Sequence, residues 1–498
     1  MKFNDYPKVG SLDGIAGFRA YMTELGLDMP CDDIVASGPD SPLAAPLAFD
    51  GLTIGHRIGM HPMEGWDCER DGRPSEHTKR RWQRFGQSGA KLIWGGEACA
   101  VRFDGRANPK QLYMAEHTQA GIAELRQLLI DEHLKATGDD KGLFIGLQLT
   151  HSGRFCKPND NRKFESIVAY NHPILDRKFG YPKDRPPISD DEIKRLIEDY
   201  VVAAKRAQQC GFDFVDIKHC HGYLGHEFLS AKTRPGLYGG SLENRTRFLR
   251  EIVEGIRAEA PGLRIGVRLS AIDTLPYRPD PALSEPGQLG PGIPEEYTGP
   301  YIYGFGTNPD DPSEYDLTEP MALFEILRGL GVRLINVSIA SPYYNPHYIR
   351  PALYPPSDGY YPPEDPFIGV MRHIAVVRDL KAAFPDFCLM GSGYSYLQEF
   401  FPNVAQAVVR LGWVDIVGLG RMVLSYPEMP LDILAGRSIQ KKRVCRTFSD
   451  CTTAPRNGIV SGCYPLDPYY KKSPQFKDLA VVKKPAKTPT KTPAKTPT

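Results

Sequence analysis

Eight short apolar runs recur between residues 45 and 436, and stretches with helical spacing separate them. They are RIGMHPM (57–63), KLIWGG (91–96), LFIGLQL (143–149), FDFVDIK (212–218), RIGVRLS (264–270), RLINVSI (333–339), FCLMGS (387–392) and VDIVGLG (414–420). Several show no polar alternation, as parallel strands buried on both faces require. The stretches between them carry helix signals. Ser189 is an N-cap residue, and Glu192 three residues later completes a capping box. Ile193, Leu196, Ile197 and Tyr200 then mark one apolar face, and Gly211 can end the helix. A second helix is predicted near 243–259, with Phe248, Leu249, Ile252 and Ile256 facing inward. Strand then helix, repeated to a count of eight, predicts an α/β chain closed as a (β/α)8 TIM barrel. An open doubly wound sheet is the rival, but no Gly-rich nucleotide fingerprint follows the first strand.

The barrel is expected over 45–436. An N-terminal extension (1–44) should pack on it, and a cysteine-bearing segment (437–478) and a Lys/Pro/Thr tail (479–498) should follow. The tail cannot bury apolar surface and is expected to be disordered. Residues 275–322 are rich in Pro, Gly and Asp and too long for an ordinary βα loop, so a long insertion over the barrel mouth is expected. A net charge of +1 gives no electrostatic case for nucleic acid or an anionic membrane. No apolar run is long enough to cross a bilayer, and MKFNDYPKVGSLDG at the start has no apolar signal core. The ten cysteines therefore read as reduced thiols in the cytoplasm. The partner expected is a small-molecule substrate, and a homo-oligomer is compatible with the sequence.

Barrel enzymes place their reacting groups at the C-terminal ends of the strands. Strands seven and eight end in Gly391-Ser392-Gly393 and Gly418-Leu419-Gly420-Arg421. Glycines there let backbone N–H groups approach a phosphate, and Arg421 can add a bidentate contact; plain turn geometry also uses glycine. Strand four ends in Lys218-His219-Cys220-His221-Gly222-Tyr223. Alternation puts Lys218 and Cys220 on one face with His219 and His221 on the other, and a bend past the strand end brings Lys218, His221 and Tyr223 to the mouth. A His cluster beside a Tyr suits proton transfer, although a single His is often structural.

At these residues the chain resembles the Old Yellow Enzyme family of FMN oxidoreductases. The segment HGYLGHEFLSAKTRPGLYGGSLENRTRFLREIV (221–253) carries most of the likeness, and HRIGMHPM (56–63), QLTHSGR (148–154), GVRLS (266–270) and GLGR (418–421) follow in the family's order. The resemblance implies that Gln148 and Arg268 hold the flavin pyrimidine. It implies that Gly393, Gly420 and Arg421 hold the phosphate, beside Gly391 and Ser392 of the same strand end as further cofactor-binding candidates, and that Pro62, Met63 and Gly96 line the isoalloxazine. Tyr223 falls at a proton-donating Tyr, and His221 at the second member of a His-x-x-Asn or His-x-x-His pair. The first member is Lys218 instead, free to meet an oxyanion or to pair with a carboxylate such as Asp216 or Glu97. Glu64 stands where a Thr or Cys often touches the flavin. Cys445, Cys451 and Cys463 resemble the iron–sulfur segment of trimethylamine dehydrogenase and 2,4-dienoyl-CoA reductase, with Phe448 in place of a fourth thiol. Four thiolates normally hold a [4Fe–4S] cluster, so no cluster and no other metal is expected. Those relatives' further nucleotide-binding domains are not seen, so the reductant, NAD(P)H, is expected to bind at the barrel itself.

The activity implied is NAD(P)H-driven reduction of an activated C=C, with hydride from FMN, a proton from Tyr223 and carbonyl polarisation by His221 with Lys218. The same chemistry run in reverse would oxidise an amine or another C–H donor. A metal-dependent hydrolase built on His219, His221, His226 and Glu227, and a flavin-binding barrel without catalysis, are the remaining alternatives. Tyr343 and Tyr344 in SPYYNP (341–346), with the 275–322 insertion, are expected to shape the pocket.

Overall fold

The computed structural model describes residues 6–285 and 289–483. Eight parallel strands close into a barrel. They are β1 (Ile58–Met60), β2 (Leu92–Ile93), β3 (Phe144–Thr150), β4 (Phe214–His219), β5 (Arg264–Ser270), β6 (Leu334–Ser338), β7 (Cys388–Gly391) and β8 (Ile416–Leu419). Closure is seen in the register, where Val417 of β8 pairs with Ile58 of β1 and Gly59 of β1 pairs with Leu92 of β2. Helices follow the strands on the outside: α1 (Glu76–Gln87), α2 (Glu116–Thr137), α3 (Asp190–Gln209), α4 (Arg247–Glu259), α5 (Thr318–Gly329), α6 (Pro366–Ala383), α7 (Phe401–Arg410) and α8 (Met429–Leu434). All eight expected strands are present. A ninth short strand, Ala98–Ala100, runs beside the far end of β3.

The barrel interior is filled from below. Leu92, Trp94, Phe144, Phe214, Leu334, Met390 and Ile416 form one buried cluster, with Phe144 stacked on Phe214 at 4.9 Å. A hairpin of Leu47–Phe49 and Leu52–Ile54 packs against that cluster. Side chains thus occupy the lower barrel, and a ligand is left the C-terminal mouth.

Several boundaries differ from expectation. Ser189 caps α3 by accepting from the Glu192 N–H at 3.2 Å, but the Glu192 carboxylate turns to Arg102 and Arg195, so the reciprocal half of the capping box is not made. The 243–259 helix is broken at Thr246 into Leu242–Arg245 and α4. The excursion ends before residue 318, where α5 begins, and contains a hairpin of Tyr277–Pro279 with Gly292–Pro294. The N-terminal extension does pack on the barrel: Phe18 of helix Gly14–Glu24 stacks on Phe400 at 4.7 Å. Residues 479–482, expected in the tail, end a helix, Gln475–Val482, whose Leu479 is buried. The rest of the tail, from residue 484, lies outside the described residues.

Candidate active site at the barrel mouth

The mouth holds a cleft of about 200 Å3. Its floor comes from strand ends: Pro62, Met63 and Glu64 after β1, Gln148 of β3, Lys218 of β4, His221 and Tyr223 beyond it, Arg268 of β5 and Arg421 after β8. Its other walls come from Pro342, Tyr343 and Arg350 after β6, and from Cys451, Thr452, Pro455, Arg456 and Ser461 of the C-terminal segment.

The expected bend after β4 is a left-handed turn. His221 and Gly222 have φ of 68° and 75°, a conformation that costs a non-glycine residue energy and persists only where neighbours hold it. Three hydrogen bonds hold it here. The His221 N–H donates to Ser270 Oγ at 3.1 Å, Ser341 Oγ donates to the His221 carbonyl at 2.8 Å, and the Gly222 N–H donates to His226 Nδ1 at 2.9 Å. A Cβ on Gly222 would lie 2.9 Å from the Tyr344 ring, so the position takes only glycine. His219 stays behind, its ring 6.0 Å from Phe248 on the helix side.

In the lining of the cleft, Glu64 gathers three donors. Lys218 forms an ion pair with Oε1, and Oε2 accepts from the Tyr223 hydroxyl at 2.7 Å and from Trp66 Nε1 at 3.0 Å. The Lys218 ammonium lies 3.8 Å above the Tyr223 ring. The Tyr223 hydroxyl is also 2.9 Å from that of Tyr343, which stacks on Phe155 at 3.9 Å. Burial and then the Glu64 charge push the Tyr223 pKa well up. Burial, with Arg268 and Lys218 nearby, holds His221 well below its usual range, so its ring is neutral. The carboxylate expected to pair with Lys218 was Asp216 or Glu97; it is Glu64. Asp216 instead accepts from Gln148 Nε2 and from the Arg268 N–H, each at 2.5 Å, and burial pushes it up to about 6. Glu97 pairs with Arg81, as does Asp67. The Asp67–Cys68–Glu97 group, close enough to hold a metal, is thus occupied by a guanidinium.

Three arginines of the lining each keep a buried N–H group without a hydrogen-bond partner among the described residues: Arg421 Nη1, Arg350 Nη2 and Arg268 Nε. Burial first, and then the Arg421 charge, brings Arg350 down to about 9. Buried cationic N–H groups without partners are costly, and an anion would satisfy them.

Five expected residues do not line the cleft. Gly96 packs under Trp82, where a Cβ would approach within 2.3 Å, and its carbonyl accepts from Met63 N–H at 3.3 Å. Gly391 and Gly393 pack on Tyr394 and His373, and Ser392 Oγ donates to the Val337 carbonyl at 2.7 Å. Gly420 has nothing nearer its Cβ position than His61 and Met63, each 3.9 Å away. The metal alternative also fails to assemble: Glu227 is held by Arg154 at 2.6 Å, and the His219 ring nitrogen faces its own strand's Ile217 carbonyl at 3.3 Å.

Arg350 and the C-terminal wall escaped the sequence reading. Arg350 lies beyond the SPYYNP segment, and its one signal is a cation just before Pro351. The C-terminal segment is pinned over the mouth by Arg456, which pairs with Asp358 and donates to the Pro342 carbonyl at 3.1 Å, and by Ser449 Oγ, which donates to the Tyr354 carbonyl at 2.6 Å. Cys445, Cys451 and Cys463 are free thiols in this segment. Phe448, at the place of a fourth, lies against Tyr354 at 5.4 Å.

Residues 42–287 match the sequence pattern of the NADH:flavin oxidoreductase / NADH oxidase family. The chain is 34% identical to an NADPH dehydrogenase of a Geobacillus species over 245 residues, which are 48% of this chain and 65% of that protein. It spans less than two thirds of the length of the curated relatives it matches. Among solved structures, an old yellow enzyme homologue from Zymomonas mobilis superposes with a TM-score of 0.53 at 21% identity, over 82% of this chain and 96% of that one. A 2-naphthoyl-CoA reductase complex superposes with a TM-score of 0.61 at 18% identity, over 86% of this chain and 57% of that one. The structural likenesses establish a shared fold.

Proposed function

From the match of residues 42–287 to the NADH:flavin oxidoreductase / NADH oxidase pattern we propose that the chain is a member of that family and an FMN-dependent enzyme that uses NAD(P)H to reduce an activated C=C. The observation that carries the reading is the set of buried guanidinium N–H groups in the lining of the cleft that have no partner among the described residues. They suit an FMN phosphate. Arg421 and Arg350 would hold it, Gln148 and Arg268 would meet the pyrimidine edge, and Pro62 and Met63 would lie against the ring. Bound there, FMN would supply hydride-transfer chemistry between a nicotinamide and the carbon beta to the acceptor carbonyl.

The chain's own residues supply the rest. His221 is neutral, so a ring N–H can donate to an acceptor carbonyl and stabilise charge as it builds there. Lys218 is already neutralised by Glu64, so the carbonyl clamp falls to His221. Tyr223, oriented beforehand by Glu64, gives its hydroxyl proton to the carbon alpha to that carbonyl, and the Tyr343 hydroxyl, 2.9 Å away, can donate to the oxygen left behind. The cysteine segment offers three thiols and a phenyl ring, which do not make a four-thiolate cluster site. Ten free thiols fit a reducing cytoplasm, and none of the described helices is long and apolar enough to cross a membrane.

The test is the visible spectrum of the purified protein under anaerobic conditions. A flavin band that NADPH or NADH bleaches, and an enone then restores, is expected. A colourless protein that does not take up FMN would refute the reading. One observation favours the reverse direction: Tyr223 already donates to a carboxylate, so the pair can also draw a proton from a substrate. Bleaching by an amine alone, without NAD(P)H, would establish that direction.

A further inference from the structure

A second cleft, of about 430 Å3, opens beside the first. Trp66 and Pro455 belong to both, so the two meet at the indole that donates to Glu64. No residue unique to the second cleft has a part in the reaction described above.

Its walls are polar and carry free positive charge. Arg70 makes one hydrogen bond, from Nη2 to the Asn159 carbonyl at 3.0 Å. Neither Arg70 nor Lys110 has an ion-pair partner among the described residues, and both side chains are exposed. Of the two lining carboxylates, Asp67 is taken by Arg81, which leaves Asp160 against two cations. Asn108 and Asn161 add amides, while Trp66 and Val460 add apolar surface. Gly458, with φ of 76°, brings the C-terminal segment close above: a Cβ there would be 3.1 Å from the Asn161 amide.

Paired cations, amides and flat apolar surface suit phosphates joined to a heteroaromatic base. We propose that this second cleft holds the adenosine-phosphate portion of a nucleotide-bearing reactant whose reacting end occupies the first. The assignment rests on the flavin reading of the first cleft. Two reactants share that chemistry: a dihydronicotinamide dinucleotide as donor, or a coenzyme A thioester as acceptor.

The FMN-loaded protein is titrated calorimetrically with ADP-ribose, beside the Arg70→Ala/Lys110→Ala double variant. Loss of two charge-assisted contacts should weaken binding about tenfold or more. No binding by the native protein, or equal binding by both proteins, overturns the proposal. An unchanged flavin spectrum checks the variant's fold. Stopped-flow reduction then separates the sources. Half-saturation by NADPH or NADH that rises about tenfold, while that of 1-benzyl-1,4-dihydronicotinamide stays put, assigns the cleft to the donor. Unchanged NAD(P)H saturation, with coenzyme A displacing ADP-ribose, assigns it to the acceptor. A flavin that neither donor bleaches refutes the redox reading of the first cleft and leaves the ADP-ribose result standing.

Discussion

Two groups line the main cleft: in the first, Arg350 and Arg421 keep buried N–H groups with no partner among the described residues; in the second, Lys218, Tyr223 and Trp66 all converge on Glu64. The first group is electrostatically incomplete until an anion arrives. The second is complete by itself, with a lysine and a carboxylate cancelling across a tyrosine ring. A cofactor's phosphate and a neutral reacting group call for those two environments respectively. On the proposed function, charge alone would not mark where chemistry happens: the cationic group would bind the cofactor, and the neutralised group would react.

The largest effect that tests this division is kinetic. Tyr223→Phe should slow alkene reduction by about a hundredfold or more, the usual worth of a positioned general acid, and leave flavin reduction by NAD(P)H within twofold (about 0.4 kcal/mol). Stopped-flow of the two half-reactions measures both. Equal loss in both would mean that Tyr223 orders the whole mouth rather than supplying a proton.

Next in size is Glu64→Gln. It leaves the Lys218 ammonium, 2% exposed, without its counter-charge. Breaking a buried pair this way costs about 3–5 kcal/mol when burial is complete. Glu64 is 15% exposed, so about 2–3 kcal/mol is expected in thermal or denaturant unfolding. Glu64→Gln/Lys218→Met, which removes both charges, should recover most of the loss. If the single variant is as stable as the native protein, the reacting group is not self-neutralised and the contrast fails.

In the binding group the expected loss is in affinity and not in stability. Arg421→Met should weaken FMN binding about ten- to a hundredfold, the worth of charge-assisted hydrogen bonds to a phosphate, as read by flavin fluorescence on the apoprotein. Arg350→Met should act in the same direction. Because each removes a buried unpaired donor, neither variant should unfold more easily without FMN. Unchanged FMN affinity in both would move the phosphate elsewhere.

The floor of this cleft was legible in sequence and the roof was not, for a physical reason. Floor residues such as Gln148, Lys218 and Arg268 sit on strands whose register is fixed by burial, so position in the run gives position in space. Tyr223 and His221 lie just past a strand, and Gly222 announces the turn that brings them back. Arg350, Arg456 and Ser461 reach the cleft through irregular loops held by particular contacts, such as Arg456 on Asp358. No periodicity encodes those. The Lys218 partner was missed for the same reason: Glu64 is 154 residues away and meets it only because β1 and β4 share one barrel. The glycines after β7 and β8 were assigned from turn chemistry and the family resemblance, and a glycine pattern does not distinguish a ligand's cradle from close packing such as that of Gly391 on Tyr394 and Gly393 on His373.

The smallest expected effect sharpens the comparison most finely. Tyr343→Phe removes one neutral hydrogen bond to Tyr223, worth about 1 kcal/mol, and keeps the ring that stacks on Phe155. Tyr223 retains Glu64 as an acceptor, so its oxygen stays within reach of the substrate. Alkene reduction should therefore fall about two- to fivefold, with flavin reduction and FMN affinity unchanged. The two hydroxyls are 2.9 Å apart and either could hold the transferable proton. They are distinguished by the Glu64 contact, which Tyr223 alone makes. A loss in Tyr343→Phe as deep as in Tyr223→Phe would show that the proton comes from Tyr343, and that Tyr223 serves to anchor it to Glu64.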